Sequence, residues 1–200
     1  MSNLFLAFEG IDGCGKSTQA KRIAALTGAR YTFEPGDTPL GQMLRQRLLD
    51  AEEEMTPHTE ALLMLADRSH HVATVITPTL AAGQRVVTDR FLGSTLAYQG
   101  YGRGVDVASL ERATDLAVGA CRPGLTIVVD IPIDVAYERR APDRRDRFES
   151  AGRDFHERVR QGFLDLAQRH ESWIVVDGAH DLEAVSHQVD DAVRSLGWLS

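Results

Sequence analysis

Lysine is nearly missing from this chain of 200 residues: Lys16 and Lys21 are the only two, and the other 20 of its 22 basic residues are arginines. Codon bias in a GC-rich genome is the simplest reading of that excess. Cysteine is equally scarce. Cys14 and Cys121 cannot build a disulfide framework, and neither stands in a metal-ligand spacing. No apolar run approaches the ~18 residues that a membrane-crossing helix needs. The opening MSNLFLAFEG has no basic region before its apolar stretch and no small-residue cleavage site after it, so it does not read as a signal peptide. A reduced, cytoplasmic compartment is the expectation. Positive charge is not in excess either: 29 acidic residues give a net charge of −7, which argues against a general nucleic-acid binder. Repeats, linkers and low-complexity segments are absent, and 43% hydrophobic content excludes disorder. One domain over residues 1–200 is expected.

What is present alternates between strand and helix. Apolar, β-branched runs at Asn3 to Glu9, Ala29 to Glu34, Arg85 to Asp89, Leu125 to Asp130 and Trp173 to Asp177 read as strands. Helical spacing covers Ser17 to Leu26, Leu40 to Leu49, Thr59 to Ile76 and Leu182 to Leu196. The alternation indicates an α/β fold with a parallel sheet, covered on both faces because the runs carry little polar alternation.

Between the first strand and first helix stands Gly10-Ile11-Asp12-Gly13-Cys14-Gly15-Lys16-Ser17, which matches G-x-x-x-x-G-K-[ST] at every fixed position. In such a loop, glycines let backbone N–H groups converge on phosphate oxygens, and the helix N-terminus adds favourable partial charge. The segment Gly10 to Thr18 is therefore the candidate ATP-binding element. Lys16 is expected to reach the β- and γ-phosphates, and the Ser17 hydroxyl to ligate Mg²⁺. A guanine-reading N/T-K-x-D segment needs a lysine further along, and none exists. A GTPase switch is thereby disfavoured, and an ATP-using small-molecule kinase leads.

Several segments together resemble the thymidylate kinase family. They are FEGIDGCGKSTQ (Phe8 to Gln19), EPG (Glu34 to Gly36), ADR (Ala66 to Arg68), DRF (Asp89 to Phe91), AYQGYGRG (Ala97 to Gly104), RPGLTIVVDIP (Arg122 to Pro132) and DRFE (Asp146 to Glu149). They stand in the family's order and span most of the chain.

The resemblance implies a three-layer P-loop NTPase fold: a five-stranded parallel sheet in order 2-3-1-4-5, flanked by helices, with a short arginine-rich lid over about 139–150. It implies phosphorylation of dTMP by ATP with Mg²⁺, and a homodimer through helices flanking the sheet. The acceptor pocket it implies comprises Glu34, Pro35, Met64, Arg68, Arg90, Thr95, Tyr98 and Gln99. Arg90 would clamp the acceptor phosphate and Asp89 would hold Mg²⁺ through water. Arg68 would meet the thymine edge, Thr95 the pyrimidine N3 edge, and Tyr98 the space of a ribose 2′-hydroxyl. Asp12 is carried over as a functional loop carboxylate, with a turn-stabilising role as the alternative.

Three departures from the family pattern stand out. Gly13 occupies a position where some relatives carry arginine, which shifts the expectation of a catalytic arginine to the lid, with Arg140 and Arg144 as candidates. Met64 stands where an aromatic residue would stack on the base; plain core packing is its alternative. Phe33 precedes Glu34-Pro35-Gly36 where many relatives carry arginine. Asp130, at the end of LTIVVD, is the other Walker-B-like candidate, ranked below Asp89 as structural or acting at one remove, and the seven histidines form no metal spacing or triad. Two other classes remain: a deoxynucleoside or other nucleoside-monophosphate kinase, and a nucleotide-binding regulator without catalysis. The arginines at 68 and 90 favour a phosphate-bearing acceptor over the first, and intact Asp12, Lys16, Ser17 and Asp89 argue against the second.

Overall fold

In a computed structural model, which describes residues 2–50, 52–139, 147–148 and 151–199, five strands form one sheet. They are β1 (Phe5–Glu9), β2 (Arg30–Phe33), β3 (Val86–Asp89), β4 (Leu125–Asp130) and β5 (Trp173–Asp177). Every pairing is parallel, in the order β2-β3-β1-β4-β5. Alternation along β1 explains the layering. Leu6 and Phe8 point into one core with Ile23, Ile127 and Phe163, while Phe5 and Ala7 point into another with Ile76, Val86 and Phe91. β1 and β3 are buried throughout, whereas the edge strands β2 and β5 are partly open. The expected topology and strand positions hold.

The helices are α1 (Lys16–Thr27), α2 (Pro39–Leu49), α3 (Pro57–His71), α4 (Thr77–Ala81), α5 (Leu92–Thr95), α6 (Val107–Val118), α7 (Ile133–Arg139), α8 (Arg153–Arg169) and α9 (Leu182–Arg194). The single helix expected over Thr59 to Ile76 is α3 followed by a wide π turn, Val72–Ile76, and then α4. Pro78 lies at the start of α4, where its missing N–H is tolerated. Helices α6 and α8 were not anticipated. The signal for α8 was present, since Phe155, Val159, Phe163 and Leu166 are buried at helical spacing. Most of the expected lid over about 139–150, including Arg140 and Arg144, lies outside the described residues.

The strands deliver their last residues to one edge of the sheet. Glu9, Phe33 and Asp89 end β1, β2 and β3 side by side, where ligands bind in open parallel sheets.

Candidate active site

The loop between β1 and α1 is shaped by its glycines. Gly10 has φ +138°, and a Cβ there would sit 2.5 Å from the Val129 carbonyl oxygen; Gly13 has φ +85° and would meet the Ala136 carbonyl at 2.9 Å. Only glycine fits these positions. Helix α1 then starts on Gly15 with no side-chain cap and no acidic residue in its first turn. By contrast α2, α3, α6 and α9 are capped by Thr38, Thr56, Asp106 and Asp181. The first N–H groups of α1 thus remain open to an external anion, reinforced by the helix dipole. Lys16 is buried, with Nζ 3.5 Å from Asp12 Oδ1.

Arg90 follows β3 and is the one non-glycine described residue with positive φ, at +72°. That left-handed geometry is uncommon for a long side chain and needs support from its surroundings. Its N–H donates to the Phe8 carbonyl at 2.9 Å, which fixes it to β1. Its guanidinium is fully engaged at both Nη atoms. Nη1 donates to the Gly10 carbonyl and Ser94 Oγ, and Nη2 to Asp12 Oδ1 at 2.5 Å and the Tyr98 hydroxyl at 3.2 Å. Tyr98 in turn donates to Asp12 Oδ2 at 2.8 Å. Burial opposes the charge on Arg90, but Asp12, Tyr98, Asp89 and Glu9 outweigh it and hold the guanidinium firmly protonated. Burial likewise pushes the Tyr98 phenol up.

Behind Arg90 stands Glu9, which the sequence reading passed over. Its Oε1 accepts the Phe91 and Ser94 N–H groups and its Oε2 accepts the Ser94 hydroxyl at 2.6 Å. Full burial raises its pKa, and these donors and the neighbouring arginines pull it back only in part. Glu9 therefore caps the start of α5 and, through Ser94, steadies Arg90.

An open cleft runs from Asp12 and Arg90 between α2 and α3. Glu34, Pro35, Met64, Arg68, Thr95, Tyr98 and Gln99 all line it, so the expected acceptor residues come together. Arg68 is 2% exposed and donates from Nε to Glu34 Oε2, from Nη1 to Thr95 Oγ1 and from Nη2 to the Phe91 carbonyl, each at 2.7 Å. A guanidinium has five N–H hydrogens, so one on each Nη is left without a partner among the described residues. Thr95 accepts from Arg68, and Gln99 donates to buried Glu60 at 2.9 Å. Met64 packs on the core and also lines the cleft.

Two further charged residues line the cleft, neither given a role from the sequence. Arg45 lies over the Phe33 ring and donates to the Pro35 carbonyl at 2.8 Å. Phe33, the departure before Glu34, thus serves as a platform for a cation supplied by α2. Asp67 is 1% exposed, and its Oδ1 has no hydrogen-bond partner among the described residues. Burial, aided by the Glu34 carboxylate, raises its pKa to about 6, against the pull of His71 and Arg68.

A second cleft of about 540 Å³ opens on the other side of the loop, lined by Cys14, Gly15, Thr18, Arg139, Gly178 and His180 among others. The two clefts thus flank Gly13 to Ser17. Magnesium fits this junction. It typically keeps several waters and needs only one or two protein oxygens beside substrate phosphates. Asp89 is buried with Oδ1 unpartnered, and the Ser17 hydroxyl makes no hydrogen bond among the described residues. No cluster of three or more His, Cys, Asp or Glu that could hold a metal occurs among the described residues.

Asp130 is paired with Arg160, which donates to both carboxylate oxygens at 2.7 and 2.8 Å. Of the lid arginines, Arg139 donates to the Gly178 carbonyl. Arg147 donates to the Met55 carbonyl and lies 2.9 Å from Glu60 Oε2, close enough to pair charges though not aligned as a hydrogen bond.

Known proteins resemble this chain along nearly its whole length. The family model described as "Thymidylate kinase" matches residues 8–189. The thymidylate kinase of Desulforudis audaxviator is 45% identical over 98% of this chain and 92% of its own length. That of Geobacter sulfurreducens is 46% identical over 94% of this chain and 95% of its own. Among solved structures, a crystal structure of thymidylate kinase from Ehrlichia chaffeensis superposes with a TM-score of 0.77 at 31% identity, covering 96% of this chain and 98% of that one.

Proposed function

This chain belongs to the thymidylate kinase family, and from that premise we propose how its two clefts divide the work. The protein is a phosphotransferase in nucleotide biosynthesis: the terminal phosphoryl group of ATP passes to dTMP, giving ADP and dTDP. ATP lies along Gly10 to Thr18, with its nucleoside toward Arg139 and Gly178. The nucleotide acceptor fills the cleft of Arg68 and Arg90. The single observation that carries this reading is the placement of two clefts, one lined by Asp12 and the other by Cys14, Gly15 and Thr18, beside the uncapped helix N-terminus that bears Lys16. Two nucleotides placed in them would bring their phosphates together there.

In the acceptor cleft, Arg90 and Arg45 bind the phosphate, and the two free Arg68 hydrogens face the base edge. Met64 covers the base and Pro35 walls the pocket. Tyr98, fixed by Asp12, fills space beside the sugar and favours deoxyribose. Glu34, Thr95 and Gln99 orient these groups through the hydrogen bonds described above. A phosphate oxygen of dTMP attacks the γ-phosphorus in line, while Lys16 and a lid arginine, Arg140 or Arg144, neutralise charge on the transferring group. Ser17 and Asp89 would hold Mg²⁺, which when bound offsets phosphate charge. Cations aimed at the acceptor's phosphate favour a monophosphate over a nucleoside.

The enzyme acts as one domain in the cytoplasm and as a homodimer. Met43 on α2, Leu62 on α3 and Leu116 on α6 are exposed, and α3 packs against both α2 and α6, while no helix among the described residues is long and apolar enough to cross a membrane. ADP release against a panel of nucleoside monophosphates and nucleosides tests the assignment: dTMP should lead. Turnover of nucleosides alone would point to a nucleoside kinase, and no turnover to a regulator. Sedimentation of the purified protein checks the dimer.

A further inference from the structure

We propose that His71 is a positioning residue for the acceptor base, acting through Glu34 on Arg68; this rests on the reading of the cleft as the dTMP site. His71 does not line that cleft. It is 1% exposed, at the end of α3, one turn beyond Arg68 on the same helix. Its Nδ1 lies 2.9 Å from Glu34 Oε1, and its Nε2 lies 2.5 Å from Thr32 Oγ1 on β2. Thr32 in turn donates to Asp37 Oδ2 at 2.5 Å.

The arrangement makes Glu34 a bridge with two supports. Its Oε2 receives Arg68 Nε and its Oε1 receives His71 Nδ1, so the carboxylate plane is set from both ends. That plane sets the guanidinium plane of Arg68, because the Nε hydrogen and the two free Nη hydrogens belong to one rigid fork. With Thr95 and the Phe91 carbonyl holding the far side of the fork, Glu34 is its one support at Nε among the described residues. Without His71, Oε1 would be a buried acceptor lacking a donor, and the carboxylate would turn to find one. Asp67 adds to this need, since its carboxyl group stands close enough to Glu34 for repulsion to be felt. The histidine therefore aims hydrogen-bond donors it does not itself carry, and its effect should fall on acceptor binding, not on phosphoryl transfer.

The test compares steady-state kinetics of wild type, His71→Asn and His71→Gln, varying dTMP and ATP in turn, with thermal melts of each protein. The Asn amide falls near the Nδ1 position and the Gln amide near Nε2. We expect His71→Gln to raise KM for dTMP at least about tenfold, with kcat and KM for ATP within about twofold. His71→Asn should keep KM for dTMP within about threefold of wild type. On a Glu34→Gln background, adding His71→Gln should change KM for dTMP by less than about twofold, because the two act in series. Should His71→Gln fail to fold, Thr32→Val reads the same chain and should raise KM for dTMP about threefold on its own. An unmoved KM for dTMP in His71→Gln, or in Thr32→Val where that variant replaces it, overturns the proposal. So does a fall in kcat alone, an equal rise in KM for ATP, or factors that multiply with Glu34→Gln. A wild-type protein that does not turn over dTMP overturns the reading of the cleft as well, which separates the two failures.

Discussion

Arg90 Nη2 and Asp12 Oδ1 lie 2.5 Å apart, which joins the cation of the acceptor cleft to the carboxylate of the phosphate loop. All four Nη hydrogens of Arg90 are already placed on Gly10, Ser94, Asp12 and Tyr98. An acceptor phosphate must therefore compete with these groups for the guanidinium, and the fork geometry decides how well it does so.

Arg90→Lys tests that geometry. A lysine keeps the charge but cannot span four acceptors on two sides. The expected result is a loss of about 100-fold in kcat/KM for dTMP, with ATP affinity changed less than about threefold. Initial-rate measurements with each substrate varied would decide it; a lysine enzyme within a few-fold of wild type would remove the clamp role.

Lys16→Ala should leave the fold intact while cutting turnover about several hundredfold, the scale of losing one charge-stabilising group at a transferring phosphoryl. Circular dichroism and ADP release on the same sample check both halves. Near-normal turnover would refute the assignment of Lys16.

Arg68→Ala should lose discrimination among dTMP, dUMP and dCMP with little change in ATP affinity. The burial of its ion pair adds a second expectation. Glu34 would lose its buried ion pair and keep only its contact with His71, at a cost of about 3–5 kcal/mol, or roughly a 6–20 °C fall in Tm. Unchanged base preference in folded protein would sink the binding role, and an unchanged Tm the structural one.

Asp67 makes stability depend on pH. Its carboxyl pKa rises from 3.8 to about 6, first through burial and then through Glu34. The native state therefore binds the proton more tightly than the unfolded chain, and that contribution is complete below pH 3.8 and lost as pH rises through about 6. Asp67→Asn should stabilise the protein more at pH 7.5 than at pH 5, by roughly 1 kcal/mol. Thermal melts of both proteins across that range measure the difference; a constant gap would show that Asp67 is not the group responsible.

Local sequence carried a large part of this protein. Gly10, Gly13, Gly15, Lys16 and Ser17 announce a phosphate loop because backbone conformation and one long cation are local properties, readable from spacing alone. The buried runs at β1, β3 and β4 were equally legible, since strands covered on both faces have nothing polar to interrupt them. Helix α8 had a readable apolar spacing, masked by the arginines around it.

The acceptor site required the fold. Arg45 enters the cleft because α2 brings it over Phe33, and no periodicity relates the two. His71 read as one of seven unremarkable histidines until α3 and β2 set it between Glu34 and Thr32, residues 37 and 39 positions away. Glu9 and Ser94 meet across 85 positions of chain to hold Arg90 in a left-handed backbone that its sequence neighbours do not announce. Sequence by itself determined which phosphate chemistry the protein carries, because that chemistry sits on one contiguous loop. Only tertiary structure decided which side chains are free to bind, because buried charges spend their hydrogen bonds on partners distant in sequence.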